Sequence, residues 1–504
     1  MAKGNRALIP AMTMVLVALA GCVDEQVVFE DRGIYDRIPE EALGFVGYAD
    51  PSDGDKLTVC GYCHGDYQSD WEGTAHSMAW EGLQSSDHAR AFCEACHTVN
   101  SLGNVAMEDS AGAVGGHLTP GIEPGRYFDV QCESCHGPGL VHASDPADAN
   151  VPLAPVNVGP SLSAGCGECH SGLHHPFVEE WSRSPHANVT PAAALRGPLE
   201  GGCASCHTGE GALVRLGVRA DYLEQDSLAG DDVYMQITCA VCHDPHSARH
   251  EGQLRFPSTV TAIEQHICAQ CHDRQSQPDT QGNQEWLQPH SAETDVLAGT
   301  AGWFPGTGSV TPGQITGPHG VGSNPRACAS CHVVGYTNQT ESGTFFSVGH
   351  GFRAAPCVGP NGLPTGETGC ALTTTARSFQ GCADGGCHDS PDDALTKLDD
   401  ALDRIIGYAV QLDGYLDDLG SEINPDDGRF TVAEGALFNF RLATTRTGFR
   451  SNQTTAERRR ALAATVTHNA PFIEALLIET LAAVEAAYPA VAADPALSGL
   501  GPGS

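Results

Sequence analysis

The clearest hydrophobic pattern in this chain lies between residues 390 and 490. Apolar residues recur there every three or four positions, as they do along one face of an amphipathic helix. The first such series is Leu395, Leu398, Leu402, Ile405, Ile406, Ala409, Leu412, Leu416 and Leu419. This spacing predicts a long helix that buries one face, followed by further helices of the same kind.

Capping residues mark where these helices begin and end. Ser390 is a typical N-cap residue, and Pro391 fits the first helical position, where no backbone N–H is needed. Two later pairs have the spacing of a capping box: Thr431 with Glu434, and Thr454 with Glu457. The first helix should end at Gly420, and the third should be interrupted near Pro471 and stop by Pro489. The segment is therefore predicted to form a small C-terminal helical bundle.

The pattern is different between residues 23 and 389. Apolar runs are short there, and they are separated by loops rich in Gly, Pro, Asp and Ser. The whole chain of 504 residues has 59 Gly, 31 Pro and only 6% aromatic residues. Such a sequence buries too little apolar surface to offset the entropy lost on ordering it. The predicted fold class is mainly α with much irregular loop, with an interior that side chains alone do not supply.

One short motif recurs through this region. The pattern Cys-x-x-Cys-His occurs eight times, and we number the copies motifs 1 to 8 in chain order. They are Cys60/Cys63/His64, Cys93/Cys96/His97, Cys132/Cys135/His136, Cys166/Cys169/His170, Cys203/Cys206/His207, Cys239/Cys242/His243, Cys268/Cys271/His272 and Cys328/Cys331/His332. A looser copy, motif 9, is Cys382/Cys387/His388, with four residues between its cysteines.

This pattern is the attachment signature of c-type haem. Two thiols form thioethers with one haem, and the two-residue spacer presents both sulfurs to the same porphyrin edge. The adjacent histidine becomes the proximal ligand of the iron. Zinc sites do not require a histidine directly after each cysteine pair. The sequence predicts nine haem c groups, numbered like their motifs, or eight if motif 9 is a disulfide-containing loop. It also predicts a multihaem cytochrome c fold organised by a haem stack.

Targeting features precede the motifs. Residues 1–21 have a positive start and an apolar stretch too short to span a bilayer as a mature helix. They end in Leu-Ala-Gly before Cys22, which resembles a bacterial lipoprotein box, although a plain secretory signal would also begin this way. We expect cleavage before Cys22, lipidation of this residue, export, and anchoring in the outer membrane at its periplasmic face or the cell surface.

The predicted organisation follows from these features. The expected segments are a signal peptide at 1–21, a tether at 22–58, the haem region with nine motifs at 59–389, the helical bundle at 390–490 and a tail at 491–504.

Few cysteines remain outside the motifs. The nine motifs use 18 of the 21 cysteines, and the lipoprotein box uses Cys22. Cys357 and Cys370 are left, and a disulfide between them is expected in an oxidising compartment. The competing arrangement pairs these two residues with Cys382 and Cys387 and would remove haem 9.

Histidine is more abundant than the motifs require. Nine of the 23 histidines are proximal, which leaves 14 for up to nine distal positions. An iron held by two histidines has no vacant position and is suited to electron transfer. The candidates, which stand in turns, loops or near a motif, are His76, His117, His142, His175, His186, His246, His290, His319 and His350. Weaker candidates are His88, His174, His250 and His266. A distal histidine often lies far from its haem in sequence, so the candidates are not paired with motifs here.

The charge of the chain limits its partners. The net charge is −36, and the only lysines are Lys3, Lys56 and Lys397. Such acidity argues against binding to nucleic acid or to anionic membrane surfaces. We expect redox partner proteins, membrane contact through the lipid anchor alone, and no nucleic acid. An oligomer is compatible with the sequence.

Three stretches resemble known cytochromes. Residues 131–142, together with His186 and the tryptophan five residues before it, resemble the tetrahaem cytochrome c of ammonia oxidisers and its multihaem relatives. Residues 436–441 and 467–472 are similar to the helical tail of the hydroxylamine oxidoreductase and pentahaem nitrite reductase class. The resemblance implies that His468 is a distal ligand that reaches back from the tail onto a haem.

Departures from that class bear on catalysis. Pentahaem nitrite reductases carry a C-x-x-C-K haem whose lysine leaves the distal face open, and no motif here contains lysine. Hydroxylamine oxidoreductases have a tyrosine linked to the catalytic haem, and nothing marks Tyr408, Tyr415 or Tyr488 as that residue. No catalytic residue is identified, and a non-catalytic electron carrier is the favoured interpretation.

Three hypotheses for the function follow. The first is a relay that passes electrons between periplasmic or membrane donors and a periplasmic or external acceptor. The second is a haem-dependent oxidoreductase that reduces or oxidises small nitrogen or sulfur compounds, such as nitrite, hydroxylamine or tetrathionate, at one open-faced haem. The third is a subunit of a conductive cytochrome filament.

Overall fold

The computed structural model describes most of the chain from residue 44 to residue 493. The described residues are 44–52, 54–86, 89–99, 125–147, 150–154, 165–172, 175–188, 202–218, 235–280, 287–306, 308, 310–341, 343–424, 426–444, 449 and 453–493. The predicted signal peptide, Cys22, most of the tether and nearly all of the tail lie outside them, as do His88, His117 and His174.

The haem region is built from short helices joined by loops. The helices are α1 (Gly65–Glu72), α2 (Ala79–Gln84), α3 (Glu94–His97), α4 (Cys132–His136), α5 (Leu140–Ser144), α6 (Phe177–Ser182), α7 (Ala204–His207), α8 (Gly209–Arg215), α9 (Cys239–Cys242), α10 (Glu293–Ala298), α11 (Ala329–His332) and α12 (Gln380–Asp384). Single 3-10 turns occur at Cys60–Tyr62, His76–Met78, Ala91–Cys93, Gly165–Glu168, Pro185–Asn188, Glu251–Gln253, Ile263–Gln265 and Ile267–Gln270. The motifs themselves account for many of these elements.

The long loop after motif 8 contains structure that the sequence pattern did not predict. Strands β1 (Tyr336–Thr340) and β2 (Gly343–Ser347) pair antiparallel as a hairpin, with Tyr336 opposite Ser347. Further along the loop, Cys357 and Cys370 form a disulfide, with Cα atoms 6.0 Å apart. The loop also contacts motif 8, because the Phe352 carbonyl lies 3.0 Å from Nδ1 of His332.

The C-terminal helices begin at the capping residues. Helix α13 (Pro391–Asp418) has the Ser390 hydroxyl accepting from the Asp393 N–H at 3.1 Å. Helices α14 (Val432–Ala443) and α15 (Thr455–Ala487) each begin with a complete capping box, in which the threonine and the glutamate exchange hydrogen bonds. A 3-10 turn at Gly420–Glu422 follows α13, and the short helix α16 (Pro489–Ala492) follows α15.

Helix α15 is kinked in the middle. Asn469 leaves the helical conformation, with φ −159° and ψ 79°, two residues before Pro471. Proline has no N–H to donate and clashes with the preceding turn, so the helix bends there. The Asn469 side chain restarts the second half, because its Oδ1 accepts from the Phe472 N–H at 3.2 Å. His468 therefore lies at the bend.

The core of these helices extends into the haem region. Buried leucines, isoleucines and phenylalanines of α13, α14 and α15 pack together with Ala292, Val296, Ala301 and Val310. Asn439 of α14 bonds both backbone groups of Trp303, at 2.7 and 2.8 Å. The predicted boundary at residue 390 is thus a boundary of sequence pattern, and the packing continues across it.

Elsewhere in the described haem region the apolar clusters are small. One contains Ala212, Leu213, Met235 and Val241, and the others contain two or three fully buried residues each. No helix among the described residues combines the length and the apolar character needed to cross a bilayer.

Candidate haem centres

Each attachment motif forms one turn that starts at its first cysteine. In motif 1 the His64 N–H donates to the Cys60 carbonyl at 2.9 Å, and motifs 4 to 8 repeat this bond at 2.8 to 3.0 Å. The bond closes a helical turn, and residues three apart on such a turn lie on the same face. Both thiols of a motif therefore face one side, as attachment to one porphyrin requires.

The attachment cysteines differ in how far they are exposed. The sequence predicts a haem-binding thiol at Cys63, within an interior built around haem, whereas the structure places Cys63 at the surface of the polypeptide. Its N–H donates to the carbonyl of the partly buried Cys60 at 3.1 Å, so Cys63 lies at the outer end of the motif 1 turn. A thiol joined to haem must face the porphyrin instead of a core of side chains, so this exposure is compatible with attachment. The role of Cys63 stays a prediction, as do those of the other exposed cysteines, Cys135, Cys166, Cys203 and Cys387.

Motif 9 closes in the same way despite its two extra residues. The His388 N–H donates to the Cys382 carbonyl at 3.2 Å. Gly386 has φ +71°, a conformation open to glycine, and its N–H donates to the Ala383 carbonyl at 2.9 Å, so the extra residues fold into the turn. The disulfide elsewhere leaves Cys382 and Cys387 as free thiols, so the competing cysteine pairing is absent from this structure.

Eight of the nine proximal histidines face a second histidine. The ring centres of each pair are 5.8 to 6.4 Å apart. The pairs are His64–His142, His136–His246, His170–His76, His207–His290, His243–His350, His272–His186, His332–His468 and His388–His319. Eight of the distal candidates named from the sequence are thus brought to motifs, often from distant parts of the chain.

This spacing fits one iron between two imidazoles. A histidine nitrogen binds a transition metal at about 2 Å, so two rings on opposite sides of one ion have centres about 6.3 Å apart. The residues present therefore fit the group that the motifs imply, and the role of the second histidines as ligands stays a prediction.

The outer nitrogens of these rings are held by hydrogen bonds. Nδ1 of His136 lies 2.9 Å from the Pro152 carbonyl, and Nδ1 of His332 lies 3.0 Å from that of Phe352. Among the second histidines, His468 reaches the Ala464 carbonyl at 2.7 Å. A carbonyl accepts only from an N–H, so Nδ1 carries the proton and Nε2 is left for a metal.

Three rings face a carboxylate instead. His272 Nδ1 lies 3.5 Å from Glu293, which raises the pKa of His272 through this contact. His388 Nδ1 lies 3.4 Å from Asp393. His246 Nδ1 lies 3.5 Å from Asp244. A carboxylate at this position makes the opposite ring nitrogen a stronger donor to a metal.

Burial keeps several of these imidazoles neutral. It lowers the pKa of His170 and of His186 to about 4, with smaller contributions from neighbouring histidines. The pKa values of His76, His243 and His468 are also lowered, mainly by burial. A metal binds the neutral ring, so these sites are in the correct protonation state near neutral pH.

Two centres depart from the simple pairing. The ring of His170 in motif 4 lies 6.3 Å from that of His76 and also 6.3 Å from that of His175. His97 of motif 2 faces no second histidine within the described residues, and its Nδ1 lies 2.9 Å from the Ala79 carbonyl. The candidate His117 lies outside the described residues.

His266 has a different role. Its Nδ1 accepts from the Cys268 N–H at 3.1 Å, and its Nε2 lies 3.2 Å from the Arg326 carbonyl. Both ring nitrogens are used by the backbone, so this fully buried ring positions motif 7. It lies near the thiols of Cys268 and Cys328, but attachment of haems 7 and 8 would consume those thiols.

Sequence reasoning missed a buried carboxylate that positions a paired histidine. Glu180 of α6 accepts from the Val348 N–H at 2.9 Å and from the His350 N–H at 2.8 Å. Glu180 therefore fixes the backbone of His350, which follows it by 170 residues in the chain and faces His243. No local pattern marks such a contact.

Thiols of different motifs also contact one another. In each contact one thiol donates to the other, which raises the pKa of the donor. The contacts are Cys60–Cys132, Cys169–Cys96, Cys239–Cys166, Cys271–Cys206 and Cys268–Cys328. These contacts make motifs 1 and 3, 2 and 4, 4 and 6, 5 and 7, and 7 and 8 neighbours in space.

Comparison with known proteins finds multihaem cytochromes among those similar to this chain. Residues 233–277, which contain motifs 6 and 7, match the family described as "Doubled CXXCH motif". The chain is 26% identical over 223 residues to the multiheme cytochrome MtrA of Shewanella baltica, covering 41% of this chain and 59% of the relative. It is 25% identical over 180 residues to the C-type polyheme cytochrome OmcB of Geobacter sulfurreducens, covering 30% of this chain and 22% of the relative.

The matched part is shorter than these relatives. It spans about three fifths of one relative and about a fifth of the other. Among solved structures, the crystal structure of the outer cell wall cytochrome OcwA aligns with 78% of this chain and 75% of its own, at 17% identity and a TM-score of 0.42. The family match covers two of the eight C-x-x-C-H motifs of this chain.

Proposed function

We propose that this chain, which is a multihaem c-type cytochrome, carries nine attached haems and relays electrons through them one at a time. The donor would be a periplasmic or membrane protein, and the acceptor would lie in the periplasm or outside the cell. The observation that carries the proposal is the set of eight histidine pairs at 5.8 to 6.4 Å, the spacing of two axial ligands on one iron.

The chain's own residues bind and orient the cofactors. When bound, haem supplies one-electron chemistry, in which one iron is oxidised as its neighbour is reduced and no bond is made or broken. The cysteines of each motif would hold one haem, and the paired histidines would be the ligands of its iron. Carbonyls and carboxylates at Nδ1 hold each ring in place and adjust how strongly it donates to the metal.

Neighbouring motifs support a relay over isolated centres. Five thiol contacts bring eight of the nine motifs next to at least one other motif, in three groups: motifs 1 and 3, motifs 2, 4 and 6, and motifs 5, 7 and 8. Attachment points in contact bring the haem edges near each other, as electron transfer between them requires.

An oxidoreductase is the second candidate function. It would reduce or oxidise a small nitrogen or sulfur compound at one iron with an open face. Motif 2 is the relevant centre, because the described residues place no second histidine opposite His97. The other eight irons would still serve as a relay to that site.

We also propose that the protein is exported and anchored in the outer membrane through Cys22. The lipoprotein box and the export that haem attachment requires support this location. A Cys22→Ser variant should be released from membranes into the soluble fraction with its haems intact. Equal retention of the variant and the natural protein in the membrane would contradict lipid anchoring.

Mass spectrometry and electron paramagnetic resonance test the relay. We expect a mass increase equal to nine haems, and low-spin signals from at least eight oxidised irons that do not change with nitrite or cyanide. One high-spin iron that binds nitrite would favour the oxidoreductase. High-spin signals from several irons would contradict the histidine pairs as ligands.

A further inference from the structure

Contacts join seven of the motifs into one row. First cysteines meet between motifs 1 and 3, between motifs 4 and 6, and between motifs 7 and 8. At the first of these, the Thr58 hydroxyl also lies 3.7 Å from the Cys132 sulfur. Hydrogen bonds to the paired histidines make the remaining connections.

Motifs 3 and 4 are joined through a tryptophan and a histidine. The Trp71 indole N–H donates to the Val130 carbonyl at 2.9 Å, and the Val130 N–H donates to the His76 carbonyl at 3.1 Å. Val130 lies two residues before motif 3, and the ring of His76 faces His170 of motif 4 at 6.3 Å. The polypeptide that leads into motif 3 therefore holds the second histidine of motif 4.

The same arrangement joins motifs 6 and 7. The Trp181 indole N–H donates to the Ile237 carbonyl at 2.8 Å, and the Ile237 N–H donates to the His186 carbonyl at 3.2 Å. Ile237 lies two residues before motif 6, and His186 faces His272 of motif 7 at 6.3 Å. Each tryptophan precedes its histidine by five residues. Motifs 1 to 3 and motifs 4 to 6 are thus two copies of one three-motif unit.

The end of the row is joined through helix α15. His319, which faces His388 of motif 9, lies with its Nδ1 2.7 Å from the Thr467 carbonyl. The next residue, His468, faces His332 of motif 8 at 6.1 Å. Adjacent residues of one helix therefore hold the second histidines of motifs 8 and 9.

Motifs 2 and 5 lie to the side of this row. Cys96 contacts Cys169 of motif 4, and Nδ1 of His97 lies 2.9 Å from the carbonyl of Ala79, three residues after the histidine that faces motif 4. Cys206 contacts Cys271 of motif 7, and the Arg215 side chain of α8, which follows motif 5, donates to the Gln270 carbonyl inside motif 7. Both thiol contacts join second cysteines, whereas the thiol contacts along the row join first cysteines. The two side motifs occupy equivalent positions in the two copies. Motif 2 is the middle motif of the first unit and contacts motif 4, whereas motif 5 is the middle motif of the second unit and contacts motif 7.

We propose that the relay is branched, with a row of haems in the order 1, 3, 4, 6, 7, 8, 9 and with haems 2 and 5 as side branches on haems 4 and 7. This inference rests on the relay proposed above. Each transfer oxidises one iron and reduces its neighbour by one electron. A redox partner that exchanges electrons with haem 2 or haem 5 joins the row partway along, so the protein has two lateral terminals besides its ends.

Tethering the protein to an electrode beside haem 9 tests the branching. Thr396 is exposed on α13, whose Asp393 lies against His388, so Thr396→Cys provides the tether. Three variants each lose one haem by replacement of both motif cysteines with alanine. They are Cys203→Ala with Cys206→Ala in motif 5, Cys239→Ala with Cys242→Ala in motif 6, and Cys132→Ala with Cys135→Ala in motif 3. The measurement is the fraction of the remaining eight haems reduced in the fast phase after a potential step.

The branched order predicts a different fraction for each variant. In the variant without haem 5, all eight remaining haems should be reduced in the fast phase. In the variant without haem 3, seven should be reduced. In the variant without haem 6, only four should be reduced, namely haems 5, 7, 8 and 9. A relay that followed the chain order would instead stop at four haems when haem 5 is missing. That result would overturn the branching.

Two controls separate this inference from the relay itself. If the unmutated, tethered protein fails to reduce its haems in one fast phase, the relay fails. If the unmutated protein reduces all its haems in one fast phase, but the variant without haem 5 reduces only some of its haems in that phase, the relay stands and only the branching fails. A structure of the unmutated protein with its haems needs no substitution, and it should show haem 4 nearest to haem 2 and haem 7 nearest to haem 5. Any other nearest neighbours would contradict the proposal.

Discussion

The C-terminal helices and the haem region obtain their interiors differently. In α13 to α15, apolar side chains pack on one another, and Leu402, Ile405 and Leu477 are fully buried. In the described part of the haem region, the buried apolar residues that do not join this core occur singly or in clusters of two to four. What recurs there is a cysteine turn and a pair of facing histidines. The helices carry their own core, whereas the haem region is arranged around groups that the polypeptide must acquire.

The two regions therefore differ in which residues determine their folds. A helix that buries one face needs only its own periodic sequence and a neighbour of the same kind. Each proposed haem centre instead needs two histidines from separate parts of the chain, such as His332 and His468, whose ring centres lie 6.1 Å apart. The two regions are nevertheless coupled, because α15 supplies His468 and its kink bonds the backbone of α10.

The largest contrast should appear in protein made without haem attachment. We expect the backbone amides of the haem region to exchange rapidly with deuterium, while those of α13 to α15 stay protected, because only the helices retain a core of side chains. Hydrogen–deuterium exchange followed by mass spectrometry makes this measurement on the full chain. Similar protection in both regions would show that the haem region has an interior of its own.

A core substitution in α15 should affect the helices alone. Leu477→Ala should destabilise them by about 2–5 kcal/mol, because it leaves a cavity at a fully buried position. The neighbouring Ile478→Ala is the control, since Ile478 is 43% exposed and should cost much less. Circular dichroism during thermal unfolding compares the two, and the haem count should be unchanged in both. A loss of haems in Leu477→Ala would mean that the regions fold as one unit.

Substitution of His468 should break the link between the regions without unfolding either. His468→Ala should turn one iron from low-spin to high-spin and let it bind cyanide, because haem 8 loses its second histidine. His250→Ala is the control, since His250 faces no other ring among the described residues. Electron paramagnetic resonance reads the outcome. Identical spectra for the two variants would remove His468 as a ligand.

The smallest effect should come from a helix cap. Thr454→Ala should cost about 1 kcal/mol of helix stability, because its hydroxyl accepts from the Glu457 N–H at 3.3 Å. Thr455→Ala changes the next residue, which is exposed and lies inside the helix, and should have little effect. Urea unfolding followed by circular dichroism measures the difference. Equal destabilisation by both would mean that the cap adds nothing.

Local features of the molecule were predictable from sequence, and non-local ones were not. Ser390, Thr431 and Thr454 cap the helices where the pattern placed the helix starts, because a cap involves residues three positions apart. The Cys357–Cys370 pair could be named because few other cysteines remained. These features need no knowledge of the three-dimensional arrangement.

The pairing of histidines depends on that arrangement. The sequence offered the candidates but no sign that His64 faces His142, or that Glu180 holds His350. The hairpin after motif 8 was also missed, since its strands are short and largely polar. The packing of Trp303 against α14 was missed because residues before 390 lack a helical pattern. Such contacts arise only when distant segments meet.

The positions of the irons test the central claim most directly. In crystals of the mature protein, anomalous scattering at the iron absorption edge locates each iron independently of the polypeptide. We predict an iron midway between the rings of each of the eight histidine pairs, about 2 Å from both Nε2 atoms. Irons bound by the motif histidine alone, or by a different second residue at most centres, would contradict the account.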